Sequence, residues 1–342
     1  MTRRRHPAAT RTPLLLSAAI AVVVPGVAAS AELLLVDGTT ADAEFAAADQ
    51  TAVQWSSDSG PTSTAWKDLF RWGAPAAQPP RPRVVLRDGS ELVAGPPWTR
   101  NGAVQWADDT LWLQSITLAP LKLPRAAVDH LLLEAARDPA VAIDLAPASD
   151  RQSDRLHLMS GDVIDGRLVS IKAGTVVFRV GDEPIEIDVG RVAAAELAPD
   201  TPRTNSSTSG VVVGLADGSL LRADPKGRQS GGVVPTTVAG VRAVVNKASA
   251  VLFLQQLSGE FVYLSDVEPL DYRHTPYAGV AWGYARDRGL DGRPIRVGGR
   301  RFLKGVAMHS PSRLVYRLTP GGRRRFDFEM AIADSAGTPV DG

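Results

Sequence analysis

The sequence predicts a mainly β protein: serial small β-roll or barrel-like units, followed by a half-buried antiparallel sheet. Three observations carry this. Gly and Pro number 31 and 25 of 342 residues, a turn-rich composition that suits short strands better than helices. A strand, a Gly/Asp turn and further strands recur four times between Glu32 and Phe253. Strict apolar/polar alternation, the period of a strand with one wet face, marks the last quarter of the chain.

In order, Met1 to Ala31 reads as a secretory signal. Arg3, Arg4, Arg5 and Arg11 form a charged leader, Leu14 to Val27 an apolar stretch, and Ala29-Ser30-Ala31 fits the small-residue cleavage rule. The stretch is shorter than a bilayer span and is broken by Pro25, which favours cleavage over a retained anchor. Removal takes away four arginines and no acid, so the formal charge moves from +1 to −3. No other stretch is apolar enough to span a bilayer. The expectation is an exported protein, extracellular, periplasmic or at the cell surface, with no membrane span once the signal is gone.

The units then follow. Leu33 to Val36 meets the turn Asp37-Gly38, and strands continue through Phe45 to Trp55. Val84 to Arg87 meets Asp88-Gly89, then Ala103 to Trp106 and Thr110 to Leu113. Leu156 to Met159 meets Ser160-Gly161-Asp162, then Gly166 to Leu168 and Thr175 to Arg179. Val211 to Leu215 meets Asp217-Gly218. Two units close alike: Leu121 to Val128 runs into Leu131 to Glu134, and Ile185 to Val192 into Ala195 to Leu197. The fourth closes more loosely, at Val241 to Phe253. Spacings from Gly38 of about 51, 72 and 57 residues are too uneven for a propeller or solenoid. The expected boundaries are 32–145 and 150–198 for β-roll units and 211–257 for a further β unit. Ser56 to Pro82 reads as a long loop with an aromatic plug at Trp66, Phe70 and Trp72, and 199–210 as a polar linker.

In 258–342, Arg296-Val297 meets Gly298-Gly299, a two-residue hairpin signal, and Arg300 to Met308 runs back out. Leu314, Tyr316 and Leu318 alternate with Arg313, Val315 and Arg317. Phe326, Phe328, Met330 and Ile332 fall on one face of a further strand.

These residues also carry a resemblance. Tyr277, Trp282, Tyr284 to Arg288, the Asp291-Gly292 turn, Gly298-Gly299, Lys304 to Ser310, Ser312, Tyr316 to Leu318 and Ile332 to Asp334 resemble the first half of the NPCBM carbohydrate-binding module, which accompanies family 98 and other glycoside hydrolases. The resemblance implies a galactose-binding-like jelly roll with a non-catalytic, sugar-binding role. It covers about a quarter of the chain. The family pattern continues past Gly342, so the expectation is a truncated module. At Val306-Ala307 the chain departs from the family's usual second glycine.

Sugar rings stack their C–H faces on aromatic rings, and their hydroxyls need polar anchors. The candidate carbohydrate-binding residues are therefore Tyr277, Trp282, Tyr284, Asp287, His309, Ser310 and Tyr316. His309 also has a bland reading, a ring satisfied by backbone groups, and Asp287 reads equally as a loop tie. Trp98, Trp106 and Trp112 suit core packing, and so do His130 and His157, while His274 receives no role. Asp334 is the candidate calcium ligand, although no second or third oxygen ligand stands at recognisable spacing. No cofactor is otherwise expected. The absence of cysteine excludes disulfides, thiolate chemistry and cysteine-based zinc sites.

No pair of acids marks a glycosidase. Asp108-Asp109 forms a tight turn, so the two side chains diverge. No Ser-His-Asp order, phosphate loop or dinucleotide fingerprint is present. Arg286 to Arg325 holds eleven Arg and one Lys against Asp287 and Asp291. Such a run fits either a solvated strand face or an anionic polysaccharide, and export disfavours nucleic acid. The expected partner is a glycan or polysaccharide, neutral or anionic. The leading reading is an exported carbohydrate-binding protein without catalysis in these residues. The alternatives are the targeting region of a glycoside hydrolase whose catalytic domain lies beyond residue 342, and an adhesive envelope scaffold.

Overall fold

The structure, a computed structural model, describes residues 30–57, 60–96, 104–137, 152–199, 210–224, 234, 236–238, 240–276, 279, 281–317 and 325–334. The signal segment, Trp98, most of the 199–210 linker and Tyr277 lie outside them. The described residues are mainly β, their only helical segments are three-residue 3-10 turns, and no sheet closes into a barrel.

The first repeat comprises β1 (Ala31–Leu35), β2 (Thr40–Ala48), β3 (Ala52–Ser56), β4 (Thr62–Ala65), a 3-10 turn (Trp66–Asp68) and β5 (Leu69–Gly73). The second comprises β6 (Arg83–Leu86), β7 (Glu91–Val93), β8 (Val104–Ala107), β9 (Thr110–Leu113), β10 (Leu121–Pro124), a turn (Arg125–Ala127) and β11 (Val128–Leu132). In the third come β12 (Asp154–Leu158), β13 (Val163–Lys172), β14 (Thr175–Val180), β15 (Glu183–Asp188), a turn (Val189–Arg191) and β16 (Val192–Glu196). The fourth has β17 (Val211–Leu215), β18 (Leu220–Ala223), β19 (Thr236–Val238), β20 (Val241–Ala243), a turn (Ala248–Ala250) and β21 (Val251–Gln256).

One backbone device builds all four. The turn glycines Gly38, Gly89, Gly161 and Gly218 have φ near +90°, which only glycine adopts without strain. Each donates its N–H to the residue three before it, at 2.9–3.0 Å. The residue after the first strand then donates to the end of the 3-10 turn: Val36 to Asp68 O, Arg87 to Ala127 O, Met159 to Arg191 O and Ala216 to Ala250 O, at 2.8–2.9 Å. Hence in every repeat the first strand lies between the second and the last.

The Ser56–Pro82 stretch is not a loop. It supplies β4 and β5, and its aromatics enter the core. Trp72 packs 5.5 Å from Trp55 and 6.0 Å from Phe45, with its indole N–H on Ala43 O at 2.9 Å. The Ser, Gly and Pro residues around these strands hide them from a composition reading. Trp106 is buried as expected, but Trp112 is 47% exposed. Leu111 and Leu113 take the core face of β9, so alternation turns Trp112 outward, where Lys122 Nζ sits 4.7 Å from its ring. His157 is buried against Glu196 at 2.5 Å, and His130 lies beside Asp129 at 3.3 Å.

The repeats are serial in sequence but not in space. The last strand of the first pairs with the last strand of the fourth (β5 with β21), and that of the second with that of the third (β11 with β16). Contacts of β7 with β18 and of β8 with β13 join all into one antiparallel network of 19 strands.

Beyond it, six short strands nest as three antiparallel ribbons. They are β22 (Asp271–His274) with β27 (Ser312–Val315), β23 (Tyr284–Arg286) with β26 (Val306–Met308), and β24 (Ile295–Val297) with β25 (Arg300–Phe302). Gly298 and Gly299 both have positive φ and form the innermost turn, as the hairpin signal predicts. Phe326 to Ile332 differs from expectation: the segment forms no strand, and Phe326, Phe328, Met330 and Ile332 all stand exposed. Alternation makes a strand only where a neighbour completes its hydrogen bonds, and no neighbouring strand pairs with this segment among the described residues.

The ribbons dock on the repeats. Leu303 packs on Val212, Leu220, Phe253 and Leu257. Phe261 and Tyr263 flank Phe70 at 4.9 and 5.7 Å. Arg301 makes a two-pronged ion pair with Glu91 at 2.5 and 2.9 Å. Burial alone would raise the Glu91 pKa, but the bonds from Arg301 dominate and hold it at about 2.

Candidate functional site

The site is built from the outer ribbon. In β22, alternation puts Tyr272 and His274 on one face, opposite Leu314 and Ser312 of β27. Both side chains reach the same backbone. The Tyr272 hydroxyl donates to Trp282 O at 2.7 Å, and the Trp282 N–H donates to His274 Nδ1 at 3.1 Å. Ser312 Oγ lies 3.2 Å from the Tyr272 hydroxyl. Trp282 precedes β23, outside any strand, so these side chains replace the ladder bonds it lacks.

With its backbone held on both sides, Trp282 stands 51% exposed. The His309 ring lies 4.7 Å away, tilted by 47°, and His274 lies 6.3 Å from His309. Tyr284 packs inward against Tyr272 at 5.0 Å and directs its hydroxyl to Glu268 at 3.4 Å. Tyr316 is half-buried. Burial, then the neighbouring Tyr284, pushes its phenol up, and its hydroxyl finds no partner among the described residues. The result is a shelf of one indole and one imidazole with phenols beneath. Its chemistry is stacking plus hydrogen bonding to neutral polar groups.

The structure thus brings Trp282, Tyr284 and His309 together, with Ser310 exposed beside His309. Tyr277 lies outside the described residues. Asp287 stands at the far end of β23. At φ +57°, it accepts from Lys304 Nζ at 2.8 Å and from the Gly305 N–H at 3.1 Å, and so ties two ribbons together. Asp334 places its two carboxylate oxygens on the N–H groups of Gly298 and Gly299, at 2.7 and 2.9 Å. Among the described residues no group of three His, Cys, Asp or Glu could hold a metal.

Four of the twelve basic residues in the run pair with acids from earlier in the chain. Arg286 pairs with Glu268 at 2.9 Å, Arg301 with Glu91, Arg313 with Asp271 at 3.3 Å, and Lys304 with Asp266. Tyr272 and His274 are the residues that sequence reasoning missed. The signal was present, two polar rings at i and i+2 of a short strand, but their partner is a main chain eight and ten residues on.

Residues 260–341 match the family model of the NPCBM/NEW2 domain, about a quarter of the chain. No curated protein and no solved structure matches the chain.

Proposed function

We propose that this protein is an exported carbohydrate-binding protein and that a sugar ring stacks on Trp282. One observation carries the reading: an exposed indole whose backbone is clamped on both sides by side chains of a neighbouring strand. A ring that is already ordered loses little entropy on binding, which is the condition for a stacking platform. The match of residues 260–341 to the NPCBM/NEW2 domain supports the ligand class. His309 and the Ser310 hydroxyl stand beside the ring as polar anchors, Tyr284 packs on Tyr272, which holds the Trp282 carbonyl, and Tyr316 is assigned no direct contact. Tyr277 and Asp287 are assigned no direct contact here.

Binding without hydrolysis suits the buried acids of the repeats. Glu91, Asp154 and Glu196 each face Arg301, Arg125 or His157, an arrangement that holds strands together. The leader at Met1 to Ala31 supports export. No helix among the described residues is long and apolar enough to cross a membrane.

The test is affinity electrophoresis of the full chain through gels that contain neutral or acidic polysaccharides. Trp282→Ala is expected to weaken binding by about tenfold or more, roughly 1.4 kcal/mol, with the thermal melt unchanged. Equal retardation of wild type and variant in every gel would refute the stacking site.

A further inference from the structure

We infer that Tyr272 and His274 are positioning residues for Trp282, and that His274 makes the shelf release its ligand in acid. This rests on the stacking role assigned to Trp282. The argument starts from lone pairs. A neutral imidazole has one N–H donor and one acceptor nitrogen, whereas the imidazolium has two donors and no acceptor. His274 Nδ1 receives the Trp282 N–H at 3.1 Å, so Nδ1 carries the lone pair and Nε2 the proton of the neutral ring. Protonation at Nδ1 sets two N–H groups against each other. The bond is lost and the Trp282 amide loses its partner.

Tyr272 responds differently. Its hydroxyl donates to Trp282 O at 2.7 Å, a bond that needs no lone pair on an imidazole. Acid therefore removes one of the two ties and leaves the other, so the segment swings about its carbonyl rather than unfolding. The indole then leaves the orientation that packs it 4.7 Å from His309.

The surroundings narrow the assignment. On its own strand His274 shares a face with Tyr272, while Asp271 and Arg273 alternate to the other side. On β27 its opposite is Ser312, and Arg313 pairs with Arg273 on the far face, where it also bridges to Asp271. Among the described residues the titratable groups on its side are Tyr272, on the same face of the strand, and His309, at 6.3 Å. A second proton there would add repulsion, but His309 makes no contact with the Trp282 amide among the described residues. The two imidazoles therefore separate by experiment.

The test is fluorine NMR of the full chain labelled with 5-fluorotryptophan. The sequence has seven tryptophans, and the Trp282 signal is assigned by its loss in Trp282→Phe. Between about pH 8 and about pH 5, where histidines change charge, the Trp282 signal is expected to shift in the wild type. In the His309→Asn background, which removes the second imidazole 4.7 Å from the indole, it should stay fixed once His274→Asn is added, whose side-chain oxygen stands near the Nδ1 position and accepts without titrating. His309→Asn should retain the shift. His274→Gln serves if the asparagine variant fails to fold. A static signal in the wild type overturns the proposal, as does an unchanged titration in both His274 variants of that background.

A second arm uses a soluble neutral galactan in the gel. Retardation of the wild type should fall about tenfold across that range and stay level in His274→Asn. Loss in acid that persists in His274→Asn counts against the switch. If the galactan retards nothing at any pH while the fluorine signals behave as expected, the stacking assignment fails for that sugar and the clamp stands. The two ideas therefore fail separately.

Discussion

At the scale of single residues, three aspartates in this chain hold backbone. Asp287, Asp334 and Asp154 each bind main-chain N–H groups, a use of carboxylates that stabilises loops and strand ends. Asp154 is the most buried of them. It accepts from the Leu168 N–H at 2.7 Å and the Ala198 N–H at 2.8 Å, and it pairs with Arg125 of the second repeat. Asp154→Ala is expected to cost about 3–5 kcal/mol, because a buried cation loses its carboxylate and two amides lose their acceptor. Urea unfolding followed by far-ultraviolet circular dichroism would check it. A loss below 1 kcal/mol would contradict the buried ion pair. None of these roles is legible from spacing, since each acid serves an amide 14 or more residues away, apart from the ordinary turn bonds of Asp37, Asp88 and Asp217.

At the scale of elements, sequence shows the first half of every repeat and the close of the second and third, but hides the close of the first and blurs that of the fourth. The glycine turns stand out because they need a chemistry that only one residue supplies. The closing 3-10 turn and strand have no such requirement. Their defining bond runs between backbone groups, which any sequence offers: Trp66–Asp68 and Val189–Arg191 share no side chain but form the same turn. β21 (Val251–Gln256) is largely buried on both faces and lacks the alternation that marks a strand, so it passes for a loose end. β5 is only partly buried and passes for loop because Ser, Gly and Pro surround it. The innermost ribbon was legible through Gly298-Gly299, and the final apolar alternation misled because it needs a paired neighbour. The turn device predicts its own sensitivity. Gly89→Ala should cost about 1–2 kcal/mol, from the strain of φ +87° and from a Cβ 3.0 Å from Arg222 Nε. Thermal melts of Gly89→Ala beside Gly161→Ala, where the space is open, separate the two contributions.

For the whole molecule, the decisive contact is the seam between ribbons and repeats. Glu91 has its pKa held at about 2 in the folded state against an ordinary 4.5. A depressed carboxylate contributes its full stability above 4.5, and that contribution is lost as pH falls toward 2. Acid is therefore expected to loosen the seam in this window. Limited pepsin digestion should cut between the repeats and the ribbons at about pH 2.5 sooner than at about pH 4.5, where the Glu91 contribution is still present. Glu91→Ala should bring the same cleavage at the higher pH, and should cost about 3 kcal/mol by leaving Arg301 unpaired. Identical digestion of variant and wild type would mean that Leu303 and the Phe70–Phe261–Tyr263 cluster hold the seam alone. Sequence shows each partner as an ordinary surface charge. Only the fold, which brings β7 and β25 together across 210 residues, makes them a pair.

The crossed pairing of the repeats has a consequence in time. Gly73 of β5 lies opposite Phe253 of β21, and the approach is so close that a Cβ on Gly73 would fall 2.1 Å from Leu252 O. On a ribosome that adds about 5–20 residues per second, the partner of β5 emerges roughly ten to forty seconds after β5 itself. During that wait the first repeat carries an open edge that another nascent copy's fourth repeat fits as well as its own. Chains translated close together on one message are thus at risk of exchanging repeats, and sparse initiation with fast elongation favours the monomer.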